Sequence, residues 1–548
     1  MKNRSLLWIL TLLSAALMSL PWLVPHTGAL ALVGFVPLLV AEEIASRLRV
    51  RHFWILYSSA FVLWNAATTF WVCNATVGGG IFAILANALQ MSLIFGIFRF
   101  SRKRLAGVLP YLLLAFLWIA WERWYLCSAQ ISWPWLVLGN AFADTTSLVQ
   151  WYEWTGTLGG SLWVWACNLG VYALTGALSE LAAVRSWTPA ARIASLLGLT
   201  LVVAGPIVCS RVLYDSRGAS LAPGRSAEGS VDVLIAQPNF DPYQKFESMS
   251  RAEQNEVLLD LCAPARRPGA DTLRQTLILA PETFTSDVIL SPAGPVSPTL
   301  EVFRGFLSSC PARTSMLMGA STYEIYDTPA SPSILARRYG KGWIRSHNSA
   351  LMFGACGPVE VFHKSKLVVG TELTPYPKLF VPLDNWLSAK MGVGGLLARC
   401  EGQNGISLLH LRDGTPVGCA VCYESVYGEY CAGYVREGAQ MLSVITNDAW
   451  WGNAPGYRQH FNYSRLRAIE LRRDIARCGN TGISAVIDCR GDVVQRGPWW
   501  ERTALQSSVK LHSAQTLFVR YGDIVGRVSV LCACLLLALL LLRCFVRK

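Results

Sequence analysis

Long apolar runs separated by short polar segments occupy the first 215 residues. We delimit runs at 6–24, 28–45, 54–73, 78–98, 105–126, 156–182 and 193–214, and a last one at 526–545. Most approach the ~20 apolar residues that a bilayer-spanning helix needs. Consecutive runs of this length do not fit inside one soluble globule. The pattern therefore predicts an α-helical transmembrane bundle of about eight spans, seven of them in residues 1–215 and the last in 523–548.

The first apolar run has two interpretations. Lys2 and Arg4 precede LLWILTLLSAALMSL, which is the form of a cleavable signal peptide. The second span follows almost at once, and no clear cleavage site separates the two. We therefore expect the first helix to be retained, with cleavage as the alternative.

Basic residues in alternate loops predict the orientation of the bundle. They are Lys2 and Arg4, then Arg47, Arg49 and Arg51, then Arg99, Arg102, Lys103 and Arg104, then Arg185 and Arg192, and finally Arg547 and Lys548. Because basic loops stay on the cytoplasmic side, the segment 216–522 is expected on the outer side. Much of the net charge of +13 is therefore topological, and we expect no nucleic-acid partner. With 53% hydrophobic and 15% charged residues, the chain is neither disordered, nor a coiled coil, nor a purely soluble enzyme.

The segment 216–522 has the texture of a separate α/β domain. Its predicted strands lie at 231–237, 276–281, 314–321, 349–356, 416–424, 441–448 and 484–494, and its predicted helices lie at 298–310 and 459–477. Strands and helices alternate, and neighbouring β segments then intervene. This order predicts an α/β sandwich with mixed sheets.

Familiar catalytic and metal-binding motifs are absent from the sequence. There is no G-x-S-x-G, no P-loop and no H-E-x-x-H, and the seven histidines show no ligand spacing. Cys419 and Cys422 form a lone C-x-x-C, which is compatible with a redox pair or half of a zinc site. No second pair stands at a usable distance. We therefore expect no metal and no organic cofactor.

Three reactive side chains follow or interrupt apolar stretches: Glu282, Lys364 and Cys422. Singly, each has a plain structural explanation as a turn residue, a surface lysine or a small buried side chain. Together they meet one chemical demand. A thiol attacks an acyl carbon as its thiolate, a carboxylate accepts the proton, and an ammonium stabilises the resulting oxyanion.

The three contexts, LILAPET, FHKSKLV and CAVCYES, resemble the motifs of the nitrilase superfamily, the carbon–nitrogen hydrolases with a Glu-Lys-Cys triad. Further similar stretches are IAQPN (235–239), TNDAWWG (446–452), CGNTGISAVID (478–488) and TLFVRYGD (516–523). This resemblance implies an αββα sandwich over 216–522. With the predicted spans, the chain resembles the membrane-anchored family of apolipoprotein N-acyltransferases. One departure is the run Leu367 to Glu372, L-V-V-G-T-E, where that family often has L-V-P-F-G-E: the Glu is retained, but the Pro and Phe are not.

The resemblance implies a two-step acyl transfer in a bacterial inner membrane, with the catalytic domain in the periplasm. Cys422 would attack an acyl ester of a phospholipid, with phosphatidylethanolamine as the expected donor. The thioester would then acylate the N-terminal amine of a diacylglyceryl-cysteine in an apolipoprotein. Glu282 would act as the general base and Lys364 would stabilise the oxyanion. The protein is expected to work as a monomer.

The resemblance also implies supporting residues around this triad. Glu372 would be a second carboxylate, while Tyr423 and Glu424 would shape the pocket, strand-end packing being the alternative. The apolar stretch 380–398, with Trp386, is a candidate lid whose flexible points are Gly392, Gly394 and Gly395. Trp450 and Trp451 are candidates for lining an acyl path. A packed loop and ordinary core packing are the alternatives for these two features.

Two rival functions remain open at the level of sequence. A membrane-tethered nitrilase-type amidase would share the triad but would need no access to lipid. A transporter or structural membrane protein with a degenerate enzyme domain is the second rival. Glu42, Glu43 and Glu122 lie near span ends, whereas transport usually requires polar residues at mid-membrane.

Overall fold

The N-terminal part of the chain is helical, as its apolar runs predict. The computed structural model describes residues 2–178, 188–220, 229–266, 274–391 and 397–546. The first helices are α1 (Lys2–Leu23), α2 (Val36–Arg47), α3 (Phe53–Thr69), α4 (Val72–Ala75), α5 (Val77–Ser101), α6 (Leu109–Cys127), α7 (Tyr152–Thr155), α8 (Thr157–Leu178) and α9 (Pro189–Ser220). Short 3-10 turns lie before α2 and, between α6 and α7, within 134–148.

Each predicted span overlaps a helix, the last four residues of the span 156–182 lying outside the described residues, but not every helix is a clear membrane span. Within the described ranges, five segments are long and apolar enough to cross a bilayer: Arg4–Leu23, Gly28–Arg47, Val77–Ser101, Pro189–Arg217 and Ile524–Val546. The helices α3, α6 and α8 occupy the other predicted spans and fall outside this group. A bundle of apolar helices is therefore confirmed, and the number of eight crossings stays a prediction.

The remainder of the chain forms two β-sheets with helices around them. The strands are β1 (Ser230–Gln237), β2 (Thr276–Leu279), β3 (Thr285–Ser291), β4 (Gly294–Val296), β5 (Thr314–Tyr326), β6 (Arg337–Tyr339), β7 (Gly342–Phe353), β8 (Glu360–His363), β9 (Leu409–His410), β10 (Pro416–Val421), β11 (Met441–Thr446), β12 (Ile475–Gly479), β13 (Ala485–Ile487), β14 (Val493–Arg496) and β15 (Thr503–Lys510). The helices are α10 (Pro242–Glu247), α11 (Arg251–Cys262), α12 (Pro298–Leu307), α13 (Pro377–Met391), α14 (Gly428–Arg436), α15 (Gly456–Leu471), α16 (Leu517–Tyr521) and α17 (Ile524–Val546).

Parallel strands form the centre of both sheets. In the first sheet, the order β15-β1-β2-β5 continues on β5 to β3 and to β7, and β7 pairs with β8. In the second sheet, the order is β14-β13-β12-β11-β10-β9, and β10, β11 and β12 are parallel. Strand β11 is buried along its whole length, as expected for a parallel strand covered on both faces.

The two sheets pack face to face, with helices outside them. Apolar side chains such as Leu277 and Leu317 from the first sheet meet Val417 and Val444 from the second. On the far side of the first sheet, α11 and α12 cover a separate apolar cluster. On the second sheet, the Tyr434 hydroxyl of α14 donates to the carbonyl of Cys419. The αββα arrangement implied by the family resemblance is therefore present.

Two predicted elements differ from those observed. The helix predicted over 459–477 ends at Leu471, because Arg472 adopts the left-handed conformation with φ of 47° and the chain continues into β12. The strand predicted over 484–494 is instead a hairpin of β13 and β14. Its turn is closed by the Asp488 carboxylate, which accepts the backbone N–H groups of Arg490 and Asp492.

Helix α15 joins the sandwich to the helical bundle through buried polar contacts. The Trp22 indole donates to the hydroxyl of Tyr463 at 3.1 Å, and the Gln459 amide donates to the carbonyl of Trp22 at 3.0 Å. The Glu470 carboxylate accepts the backbone N–H of Thr157 at 2.7 Å. Because such buried groups are costly to leave unpaired, these bonds fix the position of the sandwich on the bundle.

Candidate active site

Glu282 lies just beyond the carboxyl end of β2, in a tightly packed turn. The next residue, Thr283, has a positive φ of 46°, which turns the chain sharply after the strand. Gly319 of β5 packs directly beneath, and a Cβ there would stand 2.5 Å from the Cα of Glu282. A side chain at position 319 would therefore displace this glutamate.

Lys364 is buried between two carboxylates. Its Nζ lies 3.0 Å from Glu282 Oε1 and 2.9 Å from Glu372 Oε2. Burial opposes the positive charge, but the two carboxylates together raise the pKa of Lys364 well above its ordinary value. The lysine is therefore a fixed ammonium, and Glu372 stands where the sequence predicted a supporting carboxylate.

Asn348 of β7 is a member of this network that the sequence did not reveal. Its side-chain nitrogen donates to Glu282 Oε1 at 2.8 Å and to Glu372 Oε1 at 2.6 Å. The carbonyl of Asn348 also accepts the N–H of Lys364 at 2.8 Å. One amide thus sets the spacing of both carboxylates around the ammonium.

Cys422 begins a 3-10 turn directly after β10 and has a positive φ of 53°. This left-handed conformation is strained for a residue with a side chain and marks a sharp bend at the strand end. Burial raises the pKa of the Cys422 thiol well above its usual value. The charge of Glu282 acts in the same direction, and that of Lys364 opposes it, so all three groups lie within electrostatic reach.

Glu424 links the nucleophile turn to the lysine loop. Its carboxylate accepts the backbone N–H groups of Ser365 at 2.7 Å, Lys366 at 3.1 Å and Val421 at 2.8 Å. Burial raises the pKa of Glu424 to about 7, although these donors lower it. This side chain therefore holds the segments that carry Cys422 and Lys364 in one register.

A second polar network lies behind Cys422. One oxygen of Asp448 and one nitrogen of His460 lie within 4.8 Å of the Cys422 sulfur and of each other. Asp448 accepts from His460 Nδ1 at 2.9 Å and pairs with Arg477 at 2.7 Å. Burial raises the pKa of the Asp448 carboxyl, but the contacts with His460 and Arg477 together hold that pKa below its usual value. This network was not predicted from the sequence.

Aromatic side chains connect the nucleophile turn to the helical bundle. Tyr423 stacks with Trp133 at a centroid distance of 6.2 Å, and Trp133 stacks with Trp135 at 5.1 Å. Trp71 contacts Trp135 at 4.9 Å and Trp451 at 4.5 Å. We call Trp71, Trp133, Trp135 and Trp451 the aromatic wall. Of the two residues predicted near the site, Trp451 is therefore part of the aromatic wall and Tyr423 stacks on it.

The remaining lid and pocket candidates lie further out. Trp450 packs edge-on against Tyr243 at a centroid distance of 5.7 Å. Trp386 lies on α13, where it is 55% exposed and part of an apolar stripe. The other members of the stripe are Leu379, Leu383, Leu387 and Met391. The predicted flexible points Gly392, Gly394 and Gly395 lie outside the described residues.

Cys419 and Cys422, the cysteines of the C-x-x-C sequence, lie on either side of the end of β10. Both are free thiols, as are the other cysteines of the described chain. Cys419 lies within β10 and Cys422 begins the turn after it, and both are buried in the apolar cluster between the sheets. The C-x-x-C spacing therefore follows from a strand that ends in a bend.

Comparisons with known proteins agree with the two-part organisation of the chain. Residues 276–517 match the family model described as carbon-nitrogen hydrolase, which defines the class of the sandwich domain. Residues 14–170 match the model described as apolipoprotein N-acyltransferase N-terminal domain. The chain belongs to the apolipoprotein N-acyltransferase family.

Relatives match almost the whole length of the chain. The apolipoprotein N-acyltransferase of Chlorobaculum tepidum is 29% identical over 95% of this chain and 94% of its own length. That of Geobacter metallireducens is 25% identical over 97% of this chain and 95% of its own length. Among solved structures, Nit3 of Saccharomyces cerevisiae covers 55% of this chain and 97% of its own length, at 13% identity and a TM-score of 0.37.

Proposed function

We propose that this protein acylates the N-terminal amine of diacylglyceryl-cysteine in apolipoproteins, using a membrane phospholipid as donor and Cys422 as nucleophile. The observation that carries the proposal is the position of the nucleophile turn. Tyr423, Val426 and Tyr427 belong to the same apolar cluster as the helices of the bundle. The reactive thiol therefore adjoins the part of the molecule that contacts lipid.

In the first step, Glu282 takes the proton of Cys422, and the thiolate attacks the acyl carbonyl carbon. The charged form of the thiol is unfavourable in a buried site, so the base must stand close by. The ammonium of Lys364 stabilises the oxyanion of the tetrahedral intermediate. The ester bond then breaks, the lysophospholipid oxygen takes the proton from Glu282, and a thioester remains on Cys422.

In the second step, the free amine of diacylglyceryl-cysteine attacks the thioester carbon. Glu282 takes one proton from the attacking nitrogen, and Lys364 again stabilises the oxyanion. The carbon–sulfur bond breaks, the amide product leaves, and Cys422 recovers its proton. Alternation of the two substrates gives a ping-pong reaction with a covalent intermediate.

Glu372 and Asn348 serve this chemistry by holding Lys364 charged and in place. The lysine has carboxylate oxygens at 3.0 Å and 2.9 Å on two sides. Asn348 restrains both carboxylates through one side-chain nitrogen. Oxyanion stabilisation depends on a charge that is positioned before the reaction starts, and this network supplies it.

Both substrates carry long acyl chains, and each buried methylene contributes ~0.8 kcal/mol to keeping them in the bilayer. The apolar stripe of α13 is suited to the membrane surface, as a lid over the site. The backbone N–H of Tyr376, just before α13, donates to the Gln130 side chain of the bundle at 2.8 Å. The lid is thus anchored on the bundle, close to the lipid.

We propose the remaining features on the same basis. The catalytic domain, residues 216–522, faces the periplasm from the bacterial inner membrane, and α17 returns the chain to the cytoplasmic side. Phosphatidylethanolamine is the expected donor, and the protein acts as a monomer without nucleic acid. Cys356 is exposed in this domain, so an impermeant thiol reagent should label it in intact cells. Labelling of Cys356 only after lysis would contradict this orientation and place the catalytic domain on the cytoplasmic side.

The second candidate is a membrane-tethered amidase acting on a small amide. It would use the same triad with the catalytic pocket open to water. The aromatic wall and the apolar cluster at the nucleophile turn favour a lipid substrate over a small polar one. Two assays separate the candidates: transfer of label from a phospholipid, and hydrolysis of small amides. The acyltransferase should carry out only the first reaction.

The acyl-enzyme itself provides the test. Purified protein is incubated with phosphatidylethanolamine carrying a labelled acyl chain, and peptides are examined by mass spectrometry. We expect the mass of one acyl chain on Cys422, and no adduct in Cys422→Ser. Cys419→Ser is the matched control and should keep the adduct. An unlabelled native protein, or acyl transfer by Cys422→Ser, would contradict the mechanism.

A further inference from the structure

Three side chains with metal-ligand chemistry meet on the outer face of the first sheet, apart from the catalytic network. Glu324 lies on β5, His347 on β7 and His363 at the end of β8. One potential ligand atom of each lies within 4.8 Å of the other two. The register pairs His347 with Thr322 and His363 with Ser349, which places all three ligands on one face.

The orientation of His347 leaves one nitrogen available. Its Nδ1 lies 2.7 Å from the backbone carbonyl of Glu401, so Nδ1 carries the hydrogen and donates it. The lone pair therefore sits on Nε2, which is buried and has no hydrogen-bond partner among the described residues. This nitrogen lies 3.9 Å from Glu324 Oε1. A buried acceptor without a partner is costly, and a cation at this point would satisfy it.

His363 completes the set beside His347. The two imidazole rings stack with centroids 4.2 Å apart, and the hydroxyl of Ser349 holds His363 Nδ1 at 2.7 Å. Burial lowers the pKa of His363 to about 4 and also lowers the pKa of His347, so burial favours the neutral form of both rings. Neutral imidazole is the form that binds metal ions.

The charged neighbours of the cluster leave one carboxylate oxygen free for an ion. Arg345 pairs with Glu324 Oε2 at 2.9 Å and with Glu401 at 2.5 Å, while Oε1 of Glu324 faces His347. Glu324 is 27% exposed on its side chain, so an ion and its waters reach the cluster from solvent.

We propose that Glu324, His347 and His363 bind one divalent first-row transition-metal ion, such as zinc, through two imidazole nitrogens and one carboxylate oxygen. Two histidines and a carboxylate are a common protein ligand set that leaves positions for water. A backbone carbonyl on the far nitrogen of a ligating histidine is the usual support for such a ring. The ion ties β5, β7 and β8 together.

The site stands next to the catalytic network without sharing a side chain with it. His347 precedes Asn348, and His363 precedes Lys364. Because successive strand residues point to opposite faces, His347 lies on the outer face while Asn348 faces the catalytic network. The proposal therefore stands independently of the acyl-transfer reaction.

The full-length protein in detergent is treated with a chelator and titrated with Co²⁺, followed by absorbance, and then with Zn²⁺. We expect one Co²⁺ per chain, with d–d bands but no thiolate-to-cobalt charge-transfer band, and displacement by Zn²⁺. His347→Gln should abolish these bands, and Glu324→Gln should weaken binding by at least ~10-fold. His512→Gln, which removes a ligand from the group Asp474, Cys489 and His512, is the matched control and should leave them unchanged.

Four results would overturn the proposal. The first two are a lack of stoichiometric Co²⁺ binding and unchanged Co²⁺ affinity in Glu324→Gln. The other two are a thiolate-to-cobalt band and loss of the ion in His512→Gln, because either would place the ion at a cysteine-containing group. Far-UV circular dichroism checks that each variant folds. Because Glu324 lies partly exposed at the sheet surface, Glu324→Gln decides the question even where His347→Gln unfolds.

Discussion

Replacing Glu424 with glutamine exchanges one carboxylate oxygen for an amide nitrogen where the lysine loop meets the nucleophile turn. The amide oxygen keeps the N–H donors of Ser365 and Lys366, which lie at 2.7 and 3.1 Å. The new nitrogen then faces the N–H of Val421, at 2.8 Å in the native chain, so a donor meets a donor. Losing a hydrogen bond to a charged group costs ~1.5–3 kcal/mol. If this free energy is lost from the positioning of Cys422 in the transition state, the rate falls roughly 10- to 150-fold.

The assay is transfer of a labelled acyl chain from phospholipid in mixed micelles to a diacylglyceryl peptide. We expect kcat to fall and KM to stay unchanged, because Glu424 contacts backbone and not substrate. Glu437→Gln, at the exposed end of α14, is the matched control and should behave like the native protein. A native kcat in Glu424→Gln, or a loss confined to KM, would refute this role.

Four other variants have expected outcomes. Asn348→Ala should lower kcat by ~10-fold or more, because it removes one donor shared by two carboxylates, and Asn348→Asp should lower it further by adding a charge; steady-state kinetics checks both. Leu383→Ser with Trp386→Ser should weaken binding to phospholipid vesicles in flotation, with the native fold retained. Burial lowers the pKa of Lys245 in the folded protein from 10.5 to about 7. As pH falls from 10.5 toward 7, the unfolded chain therefore binds a proton at this lysine that the folded protein does not, and the free energy of unfolding decreases. The free energy of unfolding of Lys245→Met, relative to that of the native protein, should therefore rise as pH falls from 10.5 toward 7, as measured by chemical unfolding.

Two of the three catalytic candidates, Glu282 and Cys422, were predictable because each follows an apolar stretch. Glu282 follows β2 and Cys422 follows β10, and such strand ends are visible in the spacing of apolar residues. β2 and β10 lie in different sheets, so Glu282 and Cys422 come together only because the two sheets pack face to face, and that packing was not visible in the sequence. Lys364 was predicted through the resemblance of its motif, and its burial between two carboxylates was not visible in sequence.

Other parts of the site depend on tertiary contacts that no local pattern records. Asn348 lies inside β7, where it looks like any strand residue until pairing with β5 places it beside Glu282. Trp71 and Trp133 belong to the helical region, and only packing brings them to the nucleophile turn. The end of α15 at Leu471 was missed because the following residues still favour a helix, whereas the left-handed Arg472 ends it.

The most direct measurement follows the acyl group from the enzyme to the acceptor. Acyl-enzyme labelled in its acyl chain is isolated after reaction with phosphatidylethanolamine and mixed with a diacylglyceryl-cysteine peptide. We predict that label leaves Cys422 as amide appears on the peptide amine, at equal rates, and that an N-acetylated peptide receives none. Release of the label only as free fatty acid, at a rate independent of the peptide, would contradict the account.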